Sequence, residues 1–228
     1  MIFSSILFSL LISLGSISAV CSNDKRDELE RIFTHVYERK IWGEDFDKKG
    51  CSGSGSTFEA SQEYVHFVKK FIEENHIRSV LDIGCGDGAI TGFLKLDNNI
   101  SYIGIDVVED LIERNKAKYP YHNFFKLNAV IDPLPEVDLI LCKDVLQHLS
   151  LRHIKGLIEN VKKSAKYFIF TNDDLQSKVI NSDIKSGPFH RTVDLTKPPF
   201  SFKTLARKTY KCPTGEIKVI LLIENDQL

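Results

Sequence analysis

The chain has 228 residues, of which 43% are hydrophobic and 27% are charged, and its formal net charge is −1. This length suits one sizeable core with additions, rather than two full domains. Lysines are mixed with acidic residues and form no basic stripe, so no nucleic-acid partner is expected.

The first 23 residues carry no charged side chain. The apolar run over residues 2–14 has the length of a signal-peptide core, and small residues follow it. Residues 1–22 are therefore interpreted as an export signal, as an uncleaved membrane anchor or as a merely apolar helix. Several serines make this segment a poor membrane span. An export signal or anchor would favour a secreted or membrane-associated protein, and otherwise a cytoplasmic location is expected.

The cysteines show no Cys-x-x-Cys pairing, so no zinc site is predicted. Free thiols are expected, although Cys51 and Cys212 could pair in an exported protein. The five cysteines are Cys21, Cys51, Cys85, Cys142 and Cys212.

Two amphipathic helices are predicted ahead of the main domain, and together residues 23–76 form an N-terminal helical cap. Apolar residues recur at spacings of three and four over residues 24–40. A Gly/Ser-rich break follows, and Thr57 then resembles the N-cap of a helix over residues 58–75.

From residue 79 the pattern changes to short apolar strands that alternate with amphipathic helices. This alternation predicts a doubly wound α/β domain over residues 77–228, with a mostly parallel sheet of Rossmann-like type. The predicted strands are 79–83, 101–106, 123–128, 137–142 and 166–171, and the predicted helices are 89–96, 108–119 and 151–165. Residues 172–199 are expected to be irregular, and a late strand over 217–223 could pair at the sheet edge.

The turn after the first strand holds alternate glycines, Gly84, Gly86 and Gly88. In a doubly wound sheet this turn lies where ligands bind, and glycine permits both close approach and positive φ. With Ala89 the turn also satisfies the dinucleotide fingerprint. A nicotinamide dinucleotide and S-adenosylmethionine are therefore both candidate ligands.

Asp82 favours S-adenosylmethionine. Its carboxylate lies two residues before Gly84, where it would repel a diphosphate but suits a ligand with ammonium and sulfonium groups. Asp106 ends the second strand and is placed to accept hydrogen bonds from ribose hydroxyls, which either cofactor would supply. The chain also lacks the Tyr-x-x-x-Lys pair of a short dehydrogenase.

The stretch "VLDIGCGDG" resembles the first motif of class I S-adenosylmethionine-dependent methyltransferases, and "YIGIDVVEDLIERN" resembles the segment that follows it. The stretches "SGSGS", "PLPEVDLILCKDVLQHLS" and "RTVDLTKPPFSF" are similar to a group of small members of this family. The resemblance covers roughly residues 37–223 and implies S-adenosylmethionine as the cofactor. It does not identify the methyl acceptor.

The resemblance also implies roles for individual residues. Asp82 and the turn would line the methionine portion, Asp106 would bind the ribose, and the Asn128 carbonyl would accept from the adenine amino group. Relatives often have aspartate at the position of Asn128. The residues assigned to the cofactor in this way are Asp82, Gly84, Cys85, Gly86, Gly88, Asp106, Val107, Asn128 and Ala129.

Three residues are candidates for acceptor chemistry. Asp144 follows a strand and either orients or deprotonates the acceptor, or caps a helix over residues 145–149. His148 is a candidate base, with a packed histidine bonded to backbone as the alternative. His190 lies in the irregular segment, where it and Arg191 could reach over the pocket.

The segment before the second helix is also assigned to the pocket by the resemblance. Trp42, Ser54 and Ser56 would close over the cofactor, the alternative being a hydrophobic anchor and a flexible linker. Asp173 and Asp174 follow a strand, either as turn residues or as acceptor contacts.

The sequence thus predicts an enzyme that transfers a methyl group in line from S-adenosylmethionine to a small molecule, a lipid-linked group or a peptide. The alternative is an exported or anchored non-catalytic binding module on the same fold, because the cofactor is made in the cytosol and the amino terminus resembles an export signal. A nicotinamide-dependent oxidoreductase is a third hypothesis.

Overall fold

The computed structural model describes residues 28–97 and 99–228, and the strands among them form one seven-stranded sheet. The strands are β1 Ser79–Ile83, β2 Ser101–Asp106, β3 Asn123–Lys126, β4 Val137–Lys143, β5 Ala165–Asp173, β6 Ala206–Lys211 and β7 Ile217–Glu224. The helices are α1, whose described part covers residues 28–38, α2 Phe58–Glu74, α3 Ala89–Leu94, α4 Glu109–Lys118 and α5 Leu151–Val161. Short 3₁₀ turns lie at Ser54–Ser56, Leu146–His148 and Asn225–Gln227.

The strand order is β3-β2-β1-β4-β5-β7-β6. The first five strands in sequence run parallel, and β7 is antiparallel to both of its neighbours. The chain leaves β1 towards β2 and β3 and then returns to place β4 on the other side of β1. This reversal creates a crevice beyond the carboxyl ends of β1 and β4, which is where ligands bind in such sheets. The predicted doubly wound α/β fold is confirmed.

The sheet separates two hydrophobic clusters, because successive side chains of a strand point to opposite faces. Leu81 belongs to the cluster shared with α1 and α5, and Val80 belongs to the cluster shared with α2 and α3. In α5 the buried residues Ile154, Leu157 and Ile158 recur at helical spacing, which explains why this segment packs as a helix.

The predicted helix N-cap at Thr57 is confirmed, since its side chain accepts a hydrogen bond from the Ala60 N–H at 3.3 Å. α5 is capped in the same way, because the Ser150 side chain accepts from the His153 N–H at 3.3 Å. Both contacts satisfy an N–H group that has no partner within the helix.

The prediction for the last strands was partly wrong. β7 does not form the sheet edge but lies between β5 and β6. The edge strand β6 was missed because its side chains are mostly polar and exposed, apart from the buried Tyr210. Charged side chains are typical of sheet edges, where they discourage pairing with other chains.

The predicted signal or anchor segment, residues 1–22, and Cys21 lie outside the described residues. Within the described part of the chain, no helix has both the length and the apolar character needed to cross a membrane. Cys51 and Cys212 do not pair, and Cys85 and Cys142 are also free thiols.

Candidate active site

A cavity of about 570 Å³ lies at the carboxyl ends of the central strands, covered by the segment from α1 to α2. It is lined by residues that are far apart in the chain. The lining includes thirteen of the predicted site residues: Trp42, Ser54, Ser56, Asp82, Gly84, Cys85, Asp106, Val107, Asn128, Ala129, Asp144, His148 and His190. Gly86 and Gly88 shape the turn beside the cavity without being part of its lining.

The glycine turn requires glycine for two physical reasons. Gly84, Gly86 and Gly88 have φ values of 68°, 55° and 73°, a region that side chains with a Cβ avoid. A Cβ on Gly84 would also lie 2.5 Å from Val145 Cγ2, and a Cβ on Gly86 would overlap Ser52 Oγ. The room left by these glycines is thus occupied by the protein's own side chains.

Ser52 fastens the cap to the glycine turn. Its backbone N–H donates to Asp87 Oδ2 at 2.9 Å, and its Oγ accepts from the Asp87 N–H at 3.1 Å. Tyr37 of α1 adds a hydroxyl contact of 3.0 Å to the same Oγ. The cap and the turn therefore form one wall of the cavity. No sequence motif predicted the contact between them.

Asp82, at the end of β1, is a buried carboxylate beside the turn. Its Oδ2 accepts a hydrogen bond of 2.6 Å from the Tyr102 hydroxyl. Burial raises the pKa of Asp82 to about 6, although Tyr102 and the Lys143 ammonium favour the ionised form. A cation bound nearby would stabilise the carboxylate that burial destabilises.

Asp106, at the end of β2, is a half-buried carboxylate beside the same turn. Its oxygens accept from the Gly86 N–H at 3.1 Å and from the Val108 N–H at 3.0 Å. Burial raises the pKa of Asp106 to about 6, and these backbone donors act against that rise. Each oxygen keeps a lone pair that could accept from a ligand hydroxyl.

Asn128 follows β3 and is only 3% exposed. Its Oδ1 accepts from the Val130 N–H at 3.0 Å, whereas its Nδ2 is buried without a hydrogen-bond partner among the described residues. A ring nitrogen of adenine would satisfy that donor. The prediction that the Asn128 carbonyl binds the adenine amino group stays a prediction.

Four charged side chains form a buried network beside Asp82. Lys218 Nζ lies 2.9 Å from both carboxylate oxygens of Asp144 and 2.5 Å from Asp173 Oδ1. Lys143 Nζ lies 2.5 Å from Asp144 Oδ2 and donates to the Gly55 carbonyl at 2.8 Å. The two lysines neutralise the two aspartates, which is what burial of charge requires.

Neither lysine was predicted from the sequence to belong to the site. Lys218 is the one charge inside the apolar run "IKVILLI", and a lone lysine in a buried strand is a signal that it needs an acidic partner. Lys143 is likewise a lysine at the end of an apolar strand, and it directly precedes Asp144 in the sequence.

Asp144 does not cap a helix, so that structural alternative was wrong. The turn at Leu146–His148 begins after Val145 and has no side-chain cap. The Asp144 backbone has a φ of 58° and its side chain points to the lysines. Burial opposes its ionisation, but the Lys143 and Lys218 ammonium groups hold the pKa of Asp144 below its ordinary value.

His148 is packed and bonded to backbone, as the alternative interpretation predicted. Its Nδ1 lies 3.2 Å from the Phe189 carbonyl, and its ring centroid lies 4.7 Å from that of Trp42. Burial lowers the pKa of His148 to about 4, so the ring is neutral at neutral pH. Trp42 in turn donates from Nε1 to the Pro188 carbonyl at 3.1 Å.

His190 lies at the same end of the cavity, and its Nε2 is 3.6 Å from Asp173 Oδ2. Arg191 does not reach over the pocket. Its guanidinium donates at 2.7 Å to the carbonyls of Leu146 and Leu149, and so anchors the irregular segment beside the site.

The Gly/Ser-rich segment reaches the site as a 3₁₀ turn. Ser54 Oγ donates to Glu216 Oε1 at 3.0 Å, and the Gly55 carbonyl accepts from Lys143. The segment is therefore fastened over the cavity rather than left as a linker. Asp174 bonds to Gln176, as a turn residue does.

Residues 81–167 match the model of a family described as a methyltransferase domain. Solved structures with similar folds include the N-methyltransferase NodS from Bradyrhizobium japonicum WM9 with S-adenosyl-L-homocysteine, at 15% identity and a TM-score of 0.57, covering 74% of this chain and 88% of that one. Magnesium protoporphyrin IX methyltransferase from Synechocystis PCC 6803 with bound SAM is 15% identical with a TM-score of 0.54, covering 72% of this chain and 79% of that one.

A protein from Pyrococcus horikoshii OT3 is 18% identical with a TM-score of 0.54, covering 76% of this chain and 96% of that one. At these identities the structural likeness shows the fold. Together with the family match, it confirms the resemblance to class I S-adenosylmethionine-dependent methyltransferases.

Proposed function

We propose that this chain binds S-adenosylmethionine in the 570 Å³ cavity and transfers its methyl group to a small molecule, a lipid-linked group or a peptide. The proposal is carried by two carboxylates, the buried Asp82 and the half-buried Asp106. They flank a glycine turn at the point where the strand order reverses. In this proposal residues 77–228 form the cofactor-binding domain and residues 23–76 its cap.

The residues of the cavity fit this cofactor. Asp82 is a buried carboxylate in need of a positive partner, and a ligand with ammonium and sulfonium groups supplies one. Asp106 can accept from ribose hydroxyls, and the unpartnered Asn128 Nδ2 can donate to a ring nitrogen of adenine. A dinucleotide fits less well, because its diphosphate would lie against Asp82.

When bound, the cofactor supplies a methyl group activated by positive sulfur. The chain's part is to hold the acceptor in line with that methyl group and to keep water out, and orientation of this kind supplies much of such a catalytic effect. The cap, fastened through Ser52 to the glycine turn, encloses the cavity. Trp42, also on the cap, packs against His148 at the cavity lining.

The names of two structural neighbours support methyl transfer as the reaction class. NodS is named an N-methyltransferase and the Synechocystis protein a magnesium protoporphyrin IX methyltransferase. Their acceptors differ in chemistry, so they do not select one for this chain.

Calorimetric titration of the full chain with S-adenosylmethionine, S-adenosylhomocysteine and NAD tests the proposal. Micromolar binding of the two adenosyl ligands, lost in Asp106→Ala, is the expected result. The matched control is Asp97→Ala, which lies in the loop between α3 and β2. A folded protein that binds neither adenosyl ligand would overturn the proposal and favour a non-catalytic module.

A further inference from the structure

The cavity lining also holds a histidine–carboxylate pair that the proposed cofactor site does not use. His190 and Asp173 both line the cavity, with His190 Nε2 3.6 Å from Asp173 Oδ2. We propose that His190 is the general base that takes a proton from a neutral hydroxyl acceptor, and that Asp173 positions His190. The proposed acceptor carries this hydroxyl on a ring, because aromatic side chains line the cavity beside His190. This inference rests on the proposed methyltransferase function.

Asp173 is fixed in orientation by its neighbours. Lys218 Nζ bonds to its Oδ1 at 2.5 Å, and Gln147 Nε2 donates to its Oδ2 at 3.0 Å. The Asp173 backbone N–H also donates to Gln147 Oε1 at 2.7 Å. Oδ2 retains a lone pair towards His190, and a movement of about 0.5 Å would bring the two into hydrogen-bond distance. Such contacts often tighten only when substrate is bound.

The remaining nitrogen of His190 is available for the acceptor. Among residues 28–97 and 99–228, no group hydrogen-bonds to its Nδ1. The groups that face the ring are Asp173 from β5, Lys218 beyond it on β7, and His148, whose ring centroid is 5.7 Å away. A carboxylate on one nitrogen favours proton uptake on the other, as in the histidine of a catalytic triad.

The other two candidate bases are less suited to the task. Both oxygens of Asp144 are bonded to lysine ammonium groups, which makes it a weak base. His148 donates from Nδ1 to the Phe189 carbonyl and packs against Trp42, and burial lowers its pKa to about 4.

The charge of the cavity narrows the class of acceptor. Acidic side chains outnumber basic ones in its lining, which holds Asp82, Asp87, Asp106, Asp144, Asp173 and Glu216 against Lys143 and Lys218. Carboxylate and phosphate acceptors would be repelled. A neutral amine attacks without first losing a proton, whereas a hydroxyl needs a base as it attacks, so a fixed base is most useful to a hydroxyl.

Aromatic side chains at this end favour a ring. Phe189 precedes His190, lines the cavity and is 82% exposed, and Trp42 also lines the cavity and bonds to the carbonyl of Pro188. Such side chains offer flat apolar faces to a phenol or to the C–H face of a sugar. A phenol and a sugar both present the group that the proposal requires, a neutral hydroxyl carried by a ring.

The step balances without any further reactant. The acceptor oxygen forms a bond to the transferred methyl carbon while the carbon–sulfur bond breaks, and the electron pair of that bond stays on sulfur. The hydroxyl proton passes to Nδ1 of His190, and the imidazolium is stabilised by Asp173 until the proton leaves to solvent.

The test measures transfer of labelled methyl by the full chain to catechol, methyl glucoside, benzylamine and benzoate. Turnover of catechol or of methyl glucoside is the expected result, and which of the two reacts identifies the source of the hydroxyl. Turnover confined to benzylamine or benzoate, or binding of S-adenosylmethionine with no hydroxyl turnover, overturns the inference. Failure to bind S-adenosylmethionine at all would instead overturn the proposed function.

Variants separate a chemical role from a structural one. His190→Ala is expected to lower kcat for the hydroxyl probe by at least about 100-fold with little change in KM. Added imidazole should restore part of the rate of this variant. With a phenol acidic enough to be ionised at the assay pH, the substitution should lower kcat far less than it does with the neutral hydroxyl probe. The control is His66→Gln on the exposed face of α2. A kcat within about threefold of the parent, or a loss that neither imidazole nor the acidic phenol reduces, overturns the assignment.

Discussion

Asp173 and Lys218 face each other on the antiparallel strands β5 and β7, with Oδ1 and Nζ 2.5 Å apart. Lys218 is only 1% exposed, and its ammonium also bonds to both oxygens of Asp144 beyond the end of β4. Although burial opposes its charge, Asp144 and Asp173 raise the pKa of Lys218 above its ordinary value. The pair therefore links three strands at the edge of the cavity.

Replacing Lys218 by methionine should destabilise the protein strongly. The variant has an apolar side chain of similar length, but it leaves Asp173 without a lysine partner and Asp144 with Lys143 as its remaining lysine partner. Loss of one member of a buried ion pair costs about 3–5 kcal/mol. Urea denaturation of the two proteins measures the difference in the free energy of unfolding.

Lys211→Met on the exposed edge strand β6 is the matched control, and it should change the free energy of unfolding by less than about 0.5 kcal/mol. If Lys218→Met were no less stable than this control, the network would contribute nothing to the fold.

The glycine turn and its two carboxylates could be predicted from the sequence because their geometry is local. Asp82 and Gly84 belong to one strand and its turn, and Asp106 ends the next strand, so a βαβ pattern alone places them together. The pair of hydrogen bonds between Ser52 and Asp87, called here the Ser52 clasp, could not be predicted. A serine in a Gly/Ser-rich stretch gives no sign that its hydroxyl contacts Asp87.

The ion network beside the cavity depends on the order of the last strands. Lys218 meets Asp144 and Asp173 only because β7 runs antiparallel beside β5, and the sequence was compatible with an edge position instead. Placed at the edge, Lys218 would have been solvated and Asp144 would have remained available as a helix cap. Because the position of β7 in the sheet was not known from the sequence, the contacts of Lys218 with Asp144 and Asp173 could not be predicted.

Asp82→Asn should raise stability at neutral pH and abolish cofactor binding. Burial raises the pKa of Asp82 from 3.8 to about 6, so its contribution to stability is full below pH 3.8 and is lost as pH rises through 6. Above pH 6 the ionised carboxylate costs up to about 3 kcal/mol. A neutral amide removes that cost while its oxygen still accepts from Tyr102. Thermal unfolding at pH 7.5 and calorimetric titration measure the two effects.

Asp138→Asn is the contrasting variant. Burial acts to raise the pKa of Asp138, but donors from Arg78 and Ser79 hold it below its ordinary value. Its contribution to stability is present at neutral pH and is lost as pH falls through that lowered pKa, so the amide should lower the melting temperature at pH 7.5. A lower melting temperature in both variants would contradict the account of Asp82.

Binding of S-adenosylmethionine should weaken as pH falls through about 6. Burial raises the pKa of both Asp82 and Asp106 to about 6, and a cationic ligand binds the ionised forms. Binding at pH 6 should therefore release protons, which titrations in two buffers of different ionisation enthalpy detect. Adenosine, which lacks the positive groups, should show a smaller pH dependence, and equal dependence for both ligands would contradict the role of Asp82.

Gly86→Ala should loosen the cap and weaken cofactor binding. The new Cβ would overlap Ser52 Oγ and lie 3.1 Å from the Tyr37 hydroxyl, so the clasp between cap and turn has to move. Because Trp42 is the single tryptophan and lies on the cap, its fluorescence reports that movement directly. We expect a changed emission spectrum and at least about tenfold weaker binding of S-adenosylmethionine, equivalent to 1.4 kcal/mol.

Gly215→Ala separates the overlap from backbone strain. Gly215 has a φ of 106°, but a Cβ there would meet nothing within 4 Å, so this variant carries strain without a clash. It should lose some stability and keep both the Trp42 spectrum and the affinity. If Gly86→Ala behaved like Gly215→Ala, the glycine would serve only the backbone conformation and the clasp would not depend on it.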